Sequence, residues 1–423
     1  MNPSGSELSR VILIGQSFGR GHAATSDLFT ELAESLAKHS YQVAVLTSSP
    51  AGQPSSTSLE HGVVVHRVGM QLPERFQNLG LTLPFLWFQL MRWCLHAPHH
   101  FDQAILLDTP YFLTLGGLIL RWRHGTRLIA WIMDRPLLQI SRLNPPRSVK
   151  TQLAIRLNWI QSLLYRQCQR VVALGVCMKR GLIADGIPAE RIRIIRTWAE
   201  SSLLDVSISP TEARESCRLP QAFTVMYSGY AGAWHNFQPI LEAVQALAFR
   251  PDLQFLFCGE GPGIETVRRW TDLHPQCHVI FRPLVPASQR LESLCCGDLH
   301  LVALKASMEG TCCPSKLNPL LGLARPVIVV APRSTQTAED VIHSGAGLCA
   351  ETGLELIEAI ERMITTPSYP SPFAELARQA FQHAHCETAA IAEWLALLKE
   401  AETSHQLLAK TRISPLKNRD EMR

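Results

Sequence analysis

The sequence predicts an α/β protein made of two doubly wound, Rossmann-like domains that face each other across a cleft. Short apolar runs alternate with amphipathic helical patterns, which is typical of parallel sheets covered by helices. The alternation stops in the polar segment 199–222, which contains two prolines, and then begins again. A chain of 423 residues that is 46% hydrophobic is long enough to bury two cores.

The first half begins with a βαβ unit. The strand RVILIG (10–15) leads through a Gly-rich turn into a helix with Leu28, Leu32 and Leu36 on one side, and a second strand follows at 42–47. The same apolar pattern predicts further strands at 62–68, 103–108, 127–134, 170–175 and 191–198.

The second half repeats the pattern, with strands predicted at 223–229, 253–259, 277–283, 299–304 and 325–331. We therefore divide the chain into a first domain at 1–200, a linker at 201–222, a second domain with C-terminal helices at 223–400, and a polar tail at 401–423. Because ligands of doubly wound sheets bind beyond the carboxyl ends of the strands, the site is expected between the domains.

Charge and cysteine content exclude some classes of function. The 40 basic and 36 acidic residues give a net charge of only +4, so nothing predicts a nucleic-acid partner. The twelve cysteines are irregularly spaced, lack zinc-site spacing and follow no cleavable signal peptide. We expect reduced thiols in a cytoplasmic protein without a metal, since the doublets Cys295-Cys296 and Cys312-Cys313 would point to opposite faces of a strand.

The stretch MEGTCCPSKLNPLLGLARPVIVV (308–330) combines an acid, a lysine and a helix start. A helix N-terminus at the carboxyl edge of a sheet binds anions, and Lys316 would add a cation there. Either Ser315 or Asn318 could be the N-cap, the latter with Pro319 as the first helical residue. The segment predicts a phosphate site, with a solvated surface turn as the alternative.

Two acids follow predicted strands. Glu309 has Gly310 beside it, which permits close approach of a ligand, and we assign its carboxylate to hydroxyl groups of a sugar or ribose. The alternative is an exposed loop acid. Asp134 ends AWIMD and is expected to face the cleft and contact substrate.

Glycine-rich loops follow three strands: 15–24, 227–238 and 258–263. The first and third lack the dinucleotide fingerprint with its acid at the end of the next strand, which disfavours nicotinamide or flavin binding. His22, at the start of the first helix, is either a substrate ligand or a capping residue. His235 is either a donor to a phosphate or a surface residue.

Membrane contact is a further expectation. The segment 79–100 is interrupted by Pro84, Gln89 and Arg92, so it is too polar to span a bilayer. Its Trp, Phe and Leu residues, followed by Arg and His, suit an interfacial helix, and an ordinary buried helix is the alternative.

Taken in order, the motifs resemble those of the retaining GT-B glycosyltransferases of family 4, in particular the branch that builds bacterial surface polysaccharides. The resemblance extends over about residues 10 to 400. It is carried by GHAATSDLFTELAESLAKHSYQVAVLT (21–47), AWIMD (130–134), RVVALGVCMKRGLIADGIPAERIRIIRTWAE (170–200), YSGYAGAWHNFQPILEAV (227–244), CGEGPG (258–263) and the segment 308–330.

The resemblance implies that the first domain holds a saccharide or lipid-linked acceptor and the second holds a nucleotide diphosphate sugar, with no metal required. It implies catalytic roles for Asp134, Glu309 and Lys316. Acceptor-side residues would be Gly19, Gly21, His22 and Asp134. Donor-side residues would be Gly229, Tyr230, His235, Gly259, Gly261, Pro283, Leu284, Glu309, Pro314, Ser315, Lys316 and Leu317.

The sequence also departs from the family pattern. The turn GYAGAW lacks the Arg or Lys that is common there, and Pro319 stands where many members place a second acid. We expect a glycosyltransferase, cytoplasmic or peripheral on the inner face of the plasma membrane. The alternatives are a catalytically silent GT-B scaffold that binds a glycan or a partner, and a nucleotide-sugar epimerase.

Overall fold

A computed structural model describes residues 8–21, 24–50, 53–69, 82–109, 111–365 and 372–412. It contains two sheets flanked by helices, which confirms the predicted α/β class. The first sheet has eight strands in the order β3-β4-β2-β1-β5-β6-β7-β8 and is parallel except for β3. The second has six parallel strands in the order β11-β10-β9-β12-β13-β14.

The elements of the first domain alternate as expected. Its strands are β1 Arg10–Ile14, β2 Gln42–Ser48, β3 Ser56–Glu60, β4 Val63–Val68, β5 Gln103–Leu107, β6 Arg127–Trp131, β7 Arg170–Ala173 and β8 Ile192–Ile194. Its helices are α1 Ala24–Lys38, α2 Thr82–Leu95, α3 Thr114–His124, α4 Pro136–Leu143, α5 Val149–Tyr165 and α6 Val176–Ala184.

The second half of the chain repeats this alternation. Its strands are β9 Phe223–Ser228, β10 Leu253–Cys258, β11 Val279–Arg282, β12 Leu299–Ala303, β13 Val327–Val330 and β14 Gly347–Ala350. Its helices are α7 Pro210–Ser216, α8 Gln238–Ala246, α9 Pro262–Asp272, α10 Ala287–Cys295, α11 Leu317–Gly322, α12 Gln336–Ser344, α13 Gly353–Ile364, α14 Pro372–Ala380 and α15 Glu387–Arg412.

Every predicted strand is present, and two edge strands were missed. The strand β3 has the polar sequence STSLE, and β14 is only four residues long. Several predicted strands also extend too far at the carboxyl end. Ile132 and Met133 follow β6 yet are buried, and the Ile132 N–H still donates to the Val172 carbonyl oxygen at 2.9 Å, so an apolar run reports burial beyond the last strand residue.

The C-terminal helix corrects the predicted domain boundary. Trp394, Leu397 and Leu398 of α15 are fully buried in the core of the first domain, not in the second. The ring of Trp394 meets Trp131 edge-to-face at 5.0 Å, and Trp131 stacks on Trp198 at 5.9 Å. The helix also continues past residue 400 to Arg412, so the predicted tail is partly helical.

We expect Trp394→Ala to destabilise the first domain by about 3–5 kcal/mol, because it removes a large buried side chain and leaves a cavity beside Trp131. Differential scanning calorimetry measures the change. The matched control is Trp122→Ala, since Trp122 is 81% exposed and its loss should change stability by no more than about 0.5 kcal/mol. Equal shifts in both variants would contradict the assignment of α15 to the first core.

Candidate active site

The two domains meet where the loop after β6 contacts the loop after β12. The backbone N–H of Arg135 donates to the carbonyl oxygen of Thr311 at 2.7 Å. The side-chain amide of Gln139 lies 3.5 Å from Asp134 Oδ1 and 3.4 Å from the Thr311 carbonyl oxygen. The acid predicted on the acceptor side and the turn that carries Lys316 therefore border the same cleft.

Glu309 is held by groups from both domains. Its Oε1 lies 3.2 Å from a guanidinium nitrogen of Arg180, and its Oε2 accepts a hydrogen bond from Ser334 at 3.0 Å. Arg142 donates to the Glu309 carbonyl oxygen at 2.7 Å. Both members of the Arg180–Glu309 ion pair are partly exposed, so the pair adds little stability and a ligand can replace it at low cost.

A pocket of about 620 Å³ lies beside this pair, between the domains. Arg135, Arg142 and Arg180 of the first domain line it together with Glu309 and Gly310 of the second. Its lining combines three guanidinium groups with one carboxylate, which suits a ligand that carries both negative charge and hydroxyl groups.

Lys316 is the cation that the sequence predicts for the donor side. Its Nζ donates to the hydroxyl of Tyr227 at 2.9 Å and lies 4.1 Å from the centre of the Tyr227 ring. Burial lowers the pKa of Lys316 to about 7. A bound phosphate would stabilise the charged form, so this lysine can gain a full charge when the ligand arrives.

The helix start differs from both predicted forms. Helix α11 begins at Leu317, with Lys316 at the N-cap position and no side-chain cap, and it has only six residues. Asn318 does not cap because its amide donates to Thr197 Oγ1 at 2.9 Å and its oxygen pairs with His385 at 2.8 Å. Ser315 and Pro314 lie half-buried in the preceding turn, whereas Leu317 is 3% exposed and packs in the core.

The glycine loops of the second domain pack closely on each other. A Cβ on Gly259 would lie 2.2 Å from the Gly229 carbonyl oxygen, and one on Gly261 would lie 2.8 Å from that of Ala231. Gly229 and Gly261 have φ values of +110° and +107°, which favour glycine. A Cβ on Gly229 would be 3.5 Å from Lys316 Nζ, so the glycine keeps the space beside this cation open.

His235 is buried, which excludes the surface alternative. It is 6% exposed, and burial together with the charge of Lys316 lowers its pKa to about 3, so it is neutral at physiological pH. Within the described parts of the chain its Nδ1 atom has no hydrogen-bond partner. Tyr230 is half-exposed beside Trp234, at a ring distance of 6.1 Å, and Pro283 and Leu284 are exposed just after β11.

On the acceptor side, two glycine amides already have partners. Gly19 donates to Thr30 Oγ1 at 2.9 Å, and Gly21 donates to Asp27 Oδ1 at 2.7 Å. The predicted contact with His22 falls outside the described residues. The acceptor roles of these three residues stay predictions.

Two carboxyl groups stand at the carboxyl ends of the adjacent strands β5 and β6. Burial raises the pKa of Asp134 to about 6. Burial and the charge of Asp134 raise the pKa of Asp108 well above its usual value. Asp108 Oδ1 accepts from the backbone N–H of Met133 at 3.2 Å, while its Oδ2 has no partner among the described residues. Two neighbouring acids with different environments divide into a protonated and an ionised group.

Sequence reasoning missed several of these groups. Asp108 was detectable, because QAILLD ends a buried strand with an acid just as AWIMD does. Tyr227 gave no signal of its own, because it lies within the mostly apolar strand β9. Arg142 and Arg180 lie on helices far from residue 309 in sequence, and no local pattern connects them to it.

The described ranges contain neither a membrane-spanning helix nor a metal-binding cluster. No helix there is both long and apolar enough to cross a bilayer. No group of three or more His, Cys, Asp or Glu side chains there is arranged to hold a metal ion. Independence from metal stays a prediction.

Comparisons with known proteins agree with this architecture. Residues 26–198 match the family model described as a glycosyl transferase 4-like domain. Among solved structures, sucrose-phosphate synthase from Thermosynechococcus elongatus has a TM-score of 0.69 at 15% identity, covering 94% of this chain and 100% of that one. Anabaena HepE in complex with UDP and glucose has a TM-score of 0.66 at 17% identity, and the match covers 92% of this chain and 99% of that one.

This chain has the GT-B fold. The resemblance found in the sequence is thus confirmed for the fold, and the family model supports it over residues 26–198. A curated relative is the GDP-mannose-dependent alpha-mannosyltransferase of Mycobacterium tuberculosis (strain CDC 1551 / Oshkosh), which is 26% identical over 192 residues. That match covers 45% of this chain and 47% of the relative, so the chain spans about half the length of the curated relative it matches.

The pKa of Lys316 predicts a pH dependence for nucleotide-sugar binding to this GT-B cleft. The free lysine is charged below about pH 7, so affinity should weaken as pH rises above 7, by up to about tenfold per pH unit. His235 does not titrate in this range. Isothermal titration calorimetry with the nucleotide sugar that stabilises the protein best measures the slope.

The control is Lys316→Arg, which keeps a charge at every pH used. Its affinity should be flat between pH 6 and about pH 9. The same slope in wild type and Lys316→Arg would show that another group controls binding.

Proposed function

We propose that the protein is a retaining glycosyltransferase that moves a sugar from a nucleotide diphosphate sugar to a saccharide acceptor, either lipid-linked or a polysaccharide precursor. The observation that carries this proposal is the hydrogen bond between Arg135 and Thr311. It brings Asp134 of the first domain and the Lys316 turn of the second to one cleft. We place the reaction in the cytoplasm, at the inner face of the plasma membrane.

The relatives support this class of donor. The name of the curated relative gives GDP-mannose as its donor, and HepE has been crystallised in complex with UDP-glucose. Both donors are nucleotide diphosphate sugars. A phosphate group bound at Lys316 would lie next to the backbone of Gly229, which has no side chain there, and Tyr230, with its half-exposed ring, follows Gly229 in the chain.

Lys316 supplies charge stabilisation for the leaving group. In the transfer, the bond between the anomeric carbon and the diphosphate oxygen breaks, and the electron pair leaves with the diphosphate. A cation next to that oxygen stabilises the charge that develops there. Neutral His235 lies near the Tyr227 ring, at 6.0 Å, and adds no second charge.

Asp134 acts on the acceptor. Its raised pKa of about 6 leaves it ionised at neutral pH yet more basic than an ordinary aspartate, which suits a group that takes a proton from a sugar hydroxyl. The acceptor oxygen then bonds to the anomeric carbon on the side that the diphosphate leaves, so the configuration is retained. Burial and the neighbouring Asp134 raise the pKa of Asp108, which favours its neutral form.

A second candidate function is a catalytically silent GT-B scaffold that binds a glycan or a partner protein. The observation that favours it is the lack of an arginine or lysine in the turn 229–233, so this turn supplies no cation to a diphosphate. Nucleotide binding separates this candidate from the transferase. Nucleotide release without a glycosylated product would instead favour the epimerase or hydrolysis.

We expect UDP, GDP or dTDP, or one of their common sugar conjugates, to raise the melting temperature of the protein, because a ligand that binds only the folded state stabilises it. A thermal-shift screen identifies the base. Lys316→Ala should remove most of the shift, while Lys38→Ala, an exposed lysine at the end of α1, should keep it. No shift with any nucleotide in a folded sample would favour the silent scaffold.

We expect Asp134→Asn to lower the rate of sugar transfer by about 10²- to 10⁴-fold, because it removes the proton acceptor. The nucleotide-induced thermal shift should remain. In wild type the rate should fall as pH drops through about 6, where Asp134 becomes protonated. Asp108→Asn should keep this fall in rate at acidic pH, whatever its effect on the maximum rate. If Asp134→Asn also keeps the fall, Asp134 is not the proton acceptor.

A further inference from the structure

Helix α5 carries a surface that the cleft does not use. Its exposed residues include large apolar side chains, of which Val149 is 83%, Trp159 62% and Leu153 54% exposed. Cations lie among them. We call this surface the basic apolar face, and it consists of Arg147, Val149, Lys150, Leu153, Ile155, Arg156, Trp159 and Ile160, all of them exposed.

The helix has the reverse of the usual burial pattern. The residues that it turns towards the protein include Thr151, Ala154 and Ser162, which are small or polar. The apolar residues of the basic apolar face point outward instead, while Tyr165 at the end of the helix is buried and the leucines at 157, 163 and 164 are half-buried. A water-exposed helix normally buries its apolar side, so this arrangement indicates a second apolar environment outside the protein.

The charge of the segment indicates the nature of that environment. No Asp or Glu occurs between Asp134 and Asp185. Asp185 itself is turned inward, where it pairs with Arg135 and accepts a hydrogen bond from Ser162 at 3.2 Å. Two copies of the chain packed face to face would bring Arg147, Lys150 and Arg156 against their own equivalents, whereas an anionic surface would attract them.

We propose that the basic apolar face docks on an anionic phospholipid bilayer. Aliphatic and tryptophan side chains would enter the interface between headgroups and acyl chains, while the interleaved lysine and arginines contact lipid phosphates. This combination of apolar burial and positive charge is what holds an amphipathic helix parallel to a membrane surface.

This surface replaces the membrane helix that the sequence suggested. In α2, Leu86, Leu90 and Cys94 are buried, and Trp87 donates its indole N–H to the Tyr111 carbonyl oxygen at 2.9 Å. Trp93 packs against His66, with ring centres 4.8 Å apart. Trp87 and Trp93 of α2 therefore pack within the first domain, whereas Phe88 on the same helix is exposed.

The face adjoins the acceptor side of the cleft. Pro146, just before the face, lines the pocket that also contains Arg142 and Glu309. A docked bilayer would thus lie next to the opening through which a lipid-linked acceptor reaches Asp134. Only this consequence rests on the proposed function, since docking itself requires neither donor nor transfer.

The test is flotation of the full chain with vesicles of phosphatidylcholine alone and with vesicles of equal parts phosphatidylcholine and phosphatidylglycerol. Wild type should bind the anionic vesicles, and high salt should weaken the binding. The double variant Leu153→Ser/Trp159→Ser should bind at least about tenfold more weakly, because binding scales with buried apolar area. Arg147→Gln/Lys150→Gln should lose about fivefold for each cation removed.

The matched controls separate this face from other exposed apolar residues. Phe249→Ser on the second domain, where Phe249 is 76% exposed, and Phe88→Ser on α2, where Phe88 is 61% exposed, should bind like wild type. Each variant should keep the melting temperature and the nucleotide-induced thermal shift of wild type. Those readouts need no vesicles, so failure of docking and failure of the proposed function are distinguishable.

Either of two results would overturn the proposal. One is equal vesicle binding by wild type and the Leu153→Ser/Trp159→Ser variant. The other is a wild-type dimer in analytical ultracentrifugation that this variant dissociates, together with no binding to anionic vesicles, because the face would then join two copies of the chain.

Discussion

The hydrogen bond from the Arg135 amide to the Thr311 carbonyl is the contact on which the site depends. It connects the loop after β6 to the loop after β12, and these loops carry Asp134 and Lys316. Other contacts support it, including the Arg196–Asp340 ion pair at 2.8 Å. Only backbone groups form this contact. It therefore constrains the positions of Asp134 and Lys316 and leaves both side chains available to a ligand.

The pKa shifts in the cleft follow from burial more than from ion pairing. Desolvation is the largest cause of the pKa shifts of Lys316, His235 and Asp134. Burial favours the uncharged form of Lys316 and makes Asp134 a stronger base. The negative charge of a bound diphosphate would favour protonation of Lys316, so the site is adapted to gain positive charge upon binding, at the cost of a weaker field before the ligand arrives.

The first domain combines a closed interior with one open apolar surface. Its core takes in Trp131, Trp198 and Trp394, the last from a helix that follows the second domain in sequence. Helix α5, by contrast, leaves Trp159 outside. The chain that returns to the first domain ties the two domains together, and the basic apolar face lies on the same domain as the acceptor side.

The sequence by itself determined the α/β class, the order of the twelve predicted strands and the family resemblance, because apolar periodicity and glycine turns are local properties. It also placed Asp134 at the end of one predicted strand and Lys316 in the turn after another, and the roles of both residues stay predictions. It could not determine the partners of Glu309, the burial of His235, the domain to which Trp394 belongs or the orientation of α5. Those depend on contacts between residues far apart in the chain, and only the tertiary structure decides which face of a helix meets a core.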